Sequence, residues 1–292
     1  LSNKSFKNLL RDIVSLSKPL VTLGVTFTAL VGYILNAEIL DFSDLLFLLL
    51  GVMLMSASAA TFNHIVERKY DALMERTKGR PIASGRVSVN EGIIIGFLFL
   101  LLGLFFLLRY TNVTCALLGL FNLIWYIFVY TPFKRISVWA VFVGSITGVI
   151  PFFMGVVATG NILFSPVNLF VGAYLLMWQI PHFILLAYKY SNDYQKAGLA
   201  SILTLVPPAI VIKIYYVWMI ACCMITISFP LFGYLHNEFT GWILIALALS
   251  VTFMIVYDLV RNRSEINYKR SFMVTNLMQV LLMLLLIIDR VL

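Results

Sequence analysis

A chain of 292 residues that is 61% hydrophobic and 12% charged, with a mean hydropathy of +0.97, lies far outside the range of soluble domains, which are about half apolar. Its formal charge of +8 would suit a nucleic-acid partner, but the basic residues are confined to loops between apolar runs. Orientation toward an anionic inner leaflet explains them better, and nucleic acid is excluded.

Windows long enough to cross about 30 Å of hydrocarbon predict an all-α, polytopic membrane protein. Nine spans fall at approximately 19–37, 44–66, 91–109, 112–131, 138–159, 166–188, 208–233, 239–260 and 271–290. They form one domain over 19–292, preceded by a basic, partly amphipathic lead-in over 1–18 that is expected to lie on the membrane surface. Of the 21 Lys and Arg residues, 19 fall at the N-terminus or in even-numbered loops, leaving Arg109 and Arg290 on the other side. The positive-inside rule then predicts a cytoplasmic N-terminus. The first apolar run continues as a full span with no small-residue cleavage site behind it, so no cleavable signal peptide is expected.

Pro19 opens span one at a position where its missing N–H costs little. Span two carries the small residues Ser56 to Ala60, which suit helix packing and also leave room for a ligand. It then runs into NHIVERKYDALMERTKGRP, residues 63–81. Asn63, Glu67 and Asp71 are spaced i, i+4, i+8, which places three oxygen-bearing side chains on one helix face, drifting only about 80° over two turns. Arg76, Lys78 and Arg80 follow directly. Oxygen ligands succeeded by cations are what a magnesium-bound diphosphate requires: hard Mg²⁺ takes carboxylate and amide oxygens, and Arg and Lys neutralise phosphate oxygens. A solvated, positively biased loop would carry similar charges. Three oxygen ligands on one face, the first still close to the apolar run, favour the binding site, because ionisable groups at that depth are costly. The connection from Ala72 to Asn90, broken by Gly79, Pro81 and Gly85, is a candidate lid or clamp.

Span four ends in Tyr126, Tyr130, Thr131, Pro132, Lys134 and Arg135. Pro132 is expected to end the regular helix there, and the tyrosines suit either an interfacial belt or a site. In span five, Gly144 and Gly148 form a small-xxx-small packing face. Span six contains Trp178, Gln179, Pro181 and His182 and leads to Lys189 and Asp193. An even number of crossings separates it from span two, so Asp193 faces the same side as Asn63, Glu67 and Asp71. Pro181 frees a backbone carbonyl, which is tolerated where a helix lines a cavity. His182 would bond a neighbouring helix or face a ligand there. Spans seven to nine offer no paired carboxylates and read as scaffold. Cys115, Cys222 and Cys223 lie in apolar segments and read as small buried hydrophobes. No phosphate-loop, zinc-helix or hydrolase-elbow motif occurs.

Three blocks together resemble the intramembrane prenyltransferases of the UbiA superfamily, and among them the branch that farnesylates haem. They are N-x3-E-x3-D with MERTKGRP (63–81), YTPFKR (130–135), and WQIPHF (178–183) with DYQKAG (193–198). The first is shared by much of the superfamily, and the third points to the haem branch. Quinone-prenylating relatives usually carry two aspartates four apart in the third block, where this chain has Lys189 and Ala197 around Asp193. Glu67 stands where Asp is common, Lys69 where haem-branch members often carry Asp, and Ala200–Ser201 where Pro-Met is common. These departures bear on the number of metal ions.

The resemblance implies nine helices bundled around a central cavity, with motif loops at about 63–90 and 189–207. It implies Mg²⁺ as cofactor, held by Asn63, Glu67, Asp71 and Asp193, which are also the catalytic set. Arg76, Lys78, Arg80, Lys134, Arg135 and Lys189 would bind the diphosphate of farnesyl diphosphate. His182, Trp178 and Tyr130 would face the acceptor, haem b. The implied reaction transfers farnesyl to a haem vinyl group with addition of water. The implied location is a bacterial inner membrane or an organellar inner membrane, with the lipid bilayer as surroundings and the site on the cytoplasmic or matrix side. A terminal oxidase under assembly, or haem A synthase, would be a partner. A quinone-precursor prenyltransferase, an intramembrane cation transporter and a purely structural assembly factor are the competing expectations.

Overall fold

Hydropathy dictates the length of each helix, and local capping chemistry dictates where it begins. In a computed structural model, which describes residues 6–261 and 266–292, a short surface helix α1 (Phe6–Leu16) precedes α2 (Pro19–Asn36), α3 (Phe42–Asp71) and α4 (Val89–Tyr110). The fourth span is compound: α5 (Val113–Ile124), a π-helical turn (Trp125–Tyr130) and α6 (Thr131–Ile136). Then come α7 (Ala140–Ala158), α8 (Pro166–Lys189), the short α9 (Ser191–Lys196) and α10 (Ile202–Leu205), and finally α11 (Pro208–Leu231), α12 (Glu238–Arg261) and α13 (Tyr268–Val291). Among the described residues, nine helical segments are long and apolar enough to cross a membrane, as expected, and no strand occurs. The start of the lead-in, including Lys4, and Arg263 after span eight lie outside the described residues.

Side chains suited to the task satisfy the first N–H groups of the helices. Asp41 accepts from Ser43 N (2.8 Å) and Asp44 N (3.1 Å) to start α3. Ser88 and Glu91 form a reciprocal capping box that starts α4, and Asn112 accepts from Cys115 N to start α5. The lead-in is pinned as well as amphipathic: Leu16 is fully buried with Ile82 and Val87, and Asp12 pairs with Arg86 at 3.1 Å. Helix α1 is thereby fastened to the loop between α3 and α4.

Two apolar clusters form the core. One joins α2–α5 with one face of α7, and the other joins α7 and α8 with α11–α13. Helix α7 belongs to both because it packs backbone to backbone on α2. A Cβ on Gly155 would overlap the Ala29 carbonyl, and one on Gly32 the Phe152 carbonyl, so glycine at each allows the close approach. Between the two halves a cavity is left.

Two expectations change. Span two does not stop near residue 66: it continues as α3 to Asp71, so all three oxygen-bearing residues stand on regular helix. Pro132 does not end span four. The π-helical turn precedes it, and Thr131 Oγ1 donates to Tyr126 O at 2.7 Å. A wider turn accommodates the ring and the missing N–H of proline, and the helix resumes through Lys134 and Arg135.

Candidate active site

The cavity has a volume of about 790 Å³, and the α3–α4 loop, α6 and α9 each contribute to its lining. Its mouth is charged and its depth is largely apolar. Asn63, Glu67 and Asp71 are all buried on the α3 face that lines it, as their spacing predicts. Each is matched to a cation from a different element. Lys18 Nζ donates to Asn63 Oδ1 (2.6 Å), Lys134 pairs with Glu67 (2.5 Å), and Arg80 Nη1 donates to both Asp71 oxygens (2.8 Å). Asn63 Nδ2 joins the group by donating to Glu67 (3.0 Å) and to Thr131 Oγ1 (3.2 Å).

Lys18 carries no motif signal beyond the proline after it. It adopts φ 48°, ψ 64°, alone among the described non-glycine residues in having a positive φ. A residue before proline is disfavoured in the right-handed region, and the tight α1–α2 junction forces it to the left-handed one. The strain aims the ammonium into the mouth, where burial and the neighbouring Arg80 charge push its pKa down to about 7.

The expected diphosphate residues divide. Arg76, Arg80 and Lys134 line the cavity. Lys78 is exposed and paired with Glu75 (2.6 Å), and Lys189 lies over the Tyr190 and Tyr268 rings. Arg135 donates to Val66 O (3.1 Å) and covers Tyr70. Those three brace the mouth and do not line it. Asp193 is also off the cavity wall. Its oxygens accept from the backbone N–H groups of Glu75 and Arg76 (3.3 Å each), tying α9 to the α3–α4 loop, and Arg76 stacks on Tyr190 beside it. Asp193 therefore faces the same side as the α3 group without converging on it. Among the described residues no three His, Cys, Asp or Glu side chains meet at one point. The donor set on α3 nevertheless fits a hard cation, since it presents amide and carboxylate oxygens on one cavity wall where only basic side chains now neutralise them.

Deeper, Tyr130 stacks on Tyr126 (5.5 Å) with Lys134 above it. The two expected packing glycines serve these side chains: a Cβ on Gly144 would come within 2.5 Å of the Tyr130 ring, and one on Gly148 would overlap the Gln179 amide. Opposite, His182 lies among the rings of Trp178 (5.1 Å), Phe183 and Phe272 (5.3 Å), and its Nδ1 is buried without a partner. The Trp178 indole donates to Thr275 O at 2.7 Å. Span nine is thus more than scaffold: Phe272, Asn276, Gln279 and Val280 of α13 line the cavity. Its polar residues Asn276 and Gln279, at i, i+3, were the available signal, and without a partner motif they pass for ordinary packing.

Comparison with known proteins agrees with this geometry. Residues 25–280 match the UbiA prenyltransferase family. A protoheme IX farnesyltransferase of Christiangramia forsetii is 35% identical over 77% of this chain and 74% of its own length. The protoheme IX farnesyltransferase of Flavobacterium psychrophilum is 32% identical over 92% and 91%. In fold, a UbiA homolog from Archaeoglobus fulgidus bound to GPP and Mg²⁺ superposes with a TM-score of 0.73 at 19% identity, covering 96% of this chain and all of that one. A digeranylgeranylglyceryl phosphate synthase superposes with a TM-score of 0.77 at 14% identity, over 97% and 98%.

Proposed function

The chain belongs to the UbiA prenyltransferase family, and we propose that, like the protoheme IX farnesyltransferases it is similar to, it transfers a farnesyl group from farnesyl diphosphate to a vinyl group of haem b. The observation that carries the reading is the polarity of one cavity, with oxygen ligands and cations at the mouth and an apolar, ring-lined interior. A diphosphate with a long hydrocarbon tail has that same polarity.

Asn63, Glu67 and Asp71 would hold Mg²⁺, which when bound neutralises the diphosphate and makes it a better leaving group. Lys18, Arg76, Arg80 and Lys134 then face the phosphate oxygens, in a partly buried site where each charge acts more strongly than in open water. Asp193 serves indirectly, by holding Arg76 and its loop against α9. The farnesyl C1–O bond breaks with its electron pair leaving on the diphosphate. The terminal carbon of the haem vinyl group donates its π electrons to C1, and the positive charge moves to the vinyl carbon attached to the macrocycle. The oxygen of a water molecule adds there and loses a proton, giving a hydroxyethylfarnesyl side chain. The Tyr126, Tyr130 and Trp178 ring faces border the region where the cation develops, which suits its stabilisation. The excess of Lys and Arg in the loops at the mouth supports, by the positive-inside rule, a mouth on the cytoplasmic or matrix side of a bacterial or organellar inner membrane. The product would pass to a terminal oxidase or to a later haem-modifying enzyme.

Competition between acceptors tests the reading. Detergent-purified protein with Mg²⁺ and farnesyl diphosphate should release pyrophosphate on addition of haem b and not on addition of an aromatic quinone precursor. Release with the quinone precursor alone would move the enzyme to that branch. Cation flux in liposomes without release from either acceptor would replace the enzyme reading with a transporter.

A further inference from the structure

The deep half of the cavity is lined by a polar side chain that the reaction above does not use. Gln279 of α13 is 6% exposed, and its carboxamide oxygen is buried with no hydrogen-bond partner. A buried acceptor in a membrane interior is normally satisfied by a neighbour, because leaving it unpaired costs more than an apolar side chain there would. Its surroundings are arranged nonetheless: one turn nearer the mouth, Asn276 donates from Nδ2 to Phe272 O (2.5 Å), next to the Phe272–His182 ring contact.

Depth orders these groups. Contacts between His182 and Phe272 and between Trp178 and Thr275 show that α8 and α13 run antiparallel along the wall. Gln279 lies seven residues beyond Phe272, about 10 Å deeper along the helix. That depth is comparable to the width of a porphyrin macrocycle. A haem seated against the His182, Trp178 and Phe272 rings with a vinyl group toward the diphosphate therefore brings its opposite edge, which bears two carboxylic acid side chains, to Gln279. In so apolar a pocket a carboxylic acid is neutral and has an O–H to donate.

We propose that Gln279 is an acceptor-specificity residue whose carboxamide oxygen accepts a hydrogen bond from a protonated carboxylic acid of the tetrapyrrole. The acceptor then stands with its acid edge deep in the membrane and its vinyl edge at the diphosphate. This rests on the proposed haem reaction, but its test does not depend on turnover.

Binding of haem b and of its dimethyl ester, which lacks the O–H donors, is followed by absorbance titration of the whole protein in detergent. Titrated at about pH 4.5, where carboxylic acids are substantially protonated in solution and neutralising them costs little, wild type should favour the free acid by about 10-fold, the worth of one buried hydrogen bond. In Gln279→Met, which keeps the volume, that preference should disappear while thermal stability is unchanged or raised, because an unpaired acceptor has been removed. If the Met variant does not fold, Gln279→Asn, which withdraws the amide by one methylene, should lose the preference in the same way. Equal binding of acid and ester by wild type would overturn the proposal. So would a preference that survives in the Gln279 variants, and its loss in Lys134→Met would then put the acid edge at the mouth. Absence of farnesylated product from a wild type that binds haem with this selectivity would count against the reaction and not against the subsite.

Discussion

Each oxygen-bearing residue on α3 meets its own cation, and this pairing explains how buried charges are tolerated before substrate arrives. Removing one partner leaves the other unpaired in a low-dielectric wall, which typically costs about 3–5 kcal/mol. Asp71→Ala should therefore lower thermal stability and reduce farnesyl transfer by about 100-fold or more, whereas the double change Asp71→Ala with Arg80→Ala should recover stability without recovering activity. Thermal melts beside turnover assays separate the two effects. Lys18 yields a proton-linkage prediction. Burial and Arg80 hold its pKa at about 7, so above that pH it is largely neutral in the free protein. A diphosphate bound beside it favours the ammonium and raises the pKa, so binding near pH 8 should take up a proton. Calorimetry in buffers of differing ionisation enthalpy would detect the uptake, and Lys18→Met should abolish it. If uptake is unchanged in that variant, Lys18 is not the group responsible. Little of this was legible in the sequence: the spacing of Asn63, Glu67 and Asp71 gives their shared face, but a strained residue before Pro19 signals nothing until the α1–α2 junction is folded.

At the level of elements, the site depends on small departures from ideal helices. The π-helical turn over Trp125–Tyr130 carries span four past Pro132, so that Tyr130 and Lys134 both reach the cavity. Gly144 and Gly148 on α7 leave room for Tyr130 and Gln179. Gly148→Ala would drive a methyl group into the Gln179 amide, which donates to Ser145 O (2.9 Å) and Leu175 O (3.0 Å). Overpacking of this kind costs about 1–3 kcal/mol, and a lowered melting temperature with reduced acceptor binding is the expected result. Unchanged melting and binding would mean that the α7–α8 contact yields freely. Span number and type were readable because some 20 apolar residues in a row have one physical solution in lipid. Which faces of those spans line the cavity was not, because a uniformly apolar helix gives no periodic signal. Packing glycines that also make room for side chains in the site, and the exposure of Asn276 and Gln279 to the cavity, are settled only by how helices far apart in sequence come together.

For the molecule as a whole, charge asymmetry and cavity polarity point the same way: the charged mouth lies at the end that carries the even-numbered loops. Orientation is open to direct test. The native cysteines Cys115, Cys222 and Cys223 are buried, so a single cysteine introduced at exposed Lys78 or in the short α7–α8 loop at Asn161 would dominate labelling. An impermeant maleimide should reach the Lys78 position only from the cytoplasmic or matrix side, and the Asn161 position only from the other. The reverse pattern would invert the topology and place the mouth outside. The fold shared with solved structures at 14–19% identity locates the bundle but not the acceptor, which leaves acceptor identity as the decisive question.

The most direct measurement is the mass of the product. Purified protein with Mg²⁺, farnesyl diphosphate and haem b should yield a haem heavier by one farnesyl group and one water, formed by wild type and absent with Asp71→Ala. A haem recovered unmodified by folded wild-type protein, under conditions in which both substrates bind, would contradict the assignment of haem as acceptor.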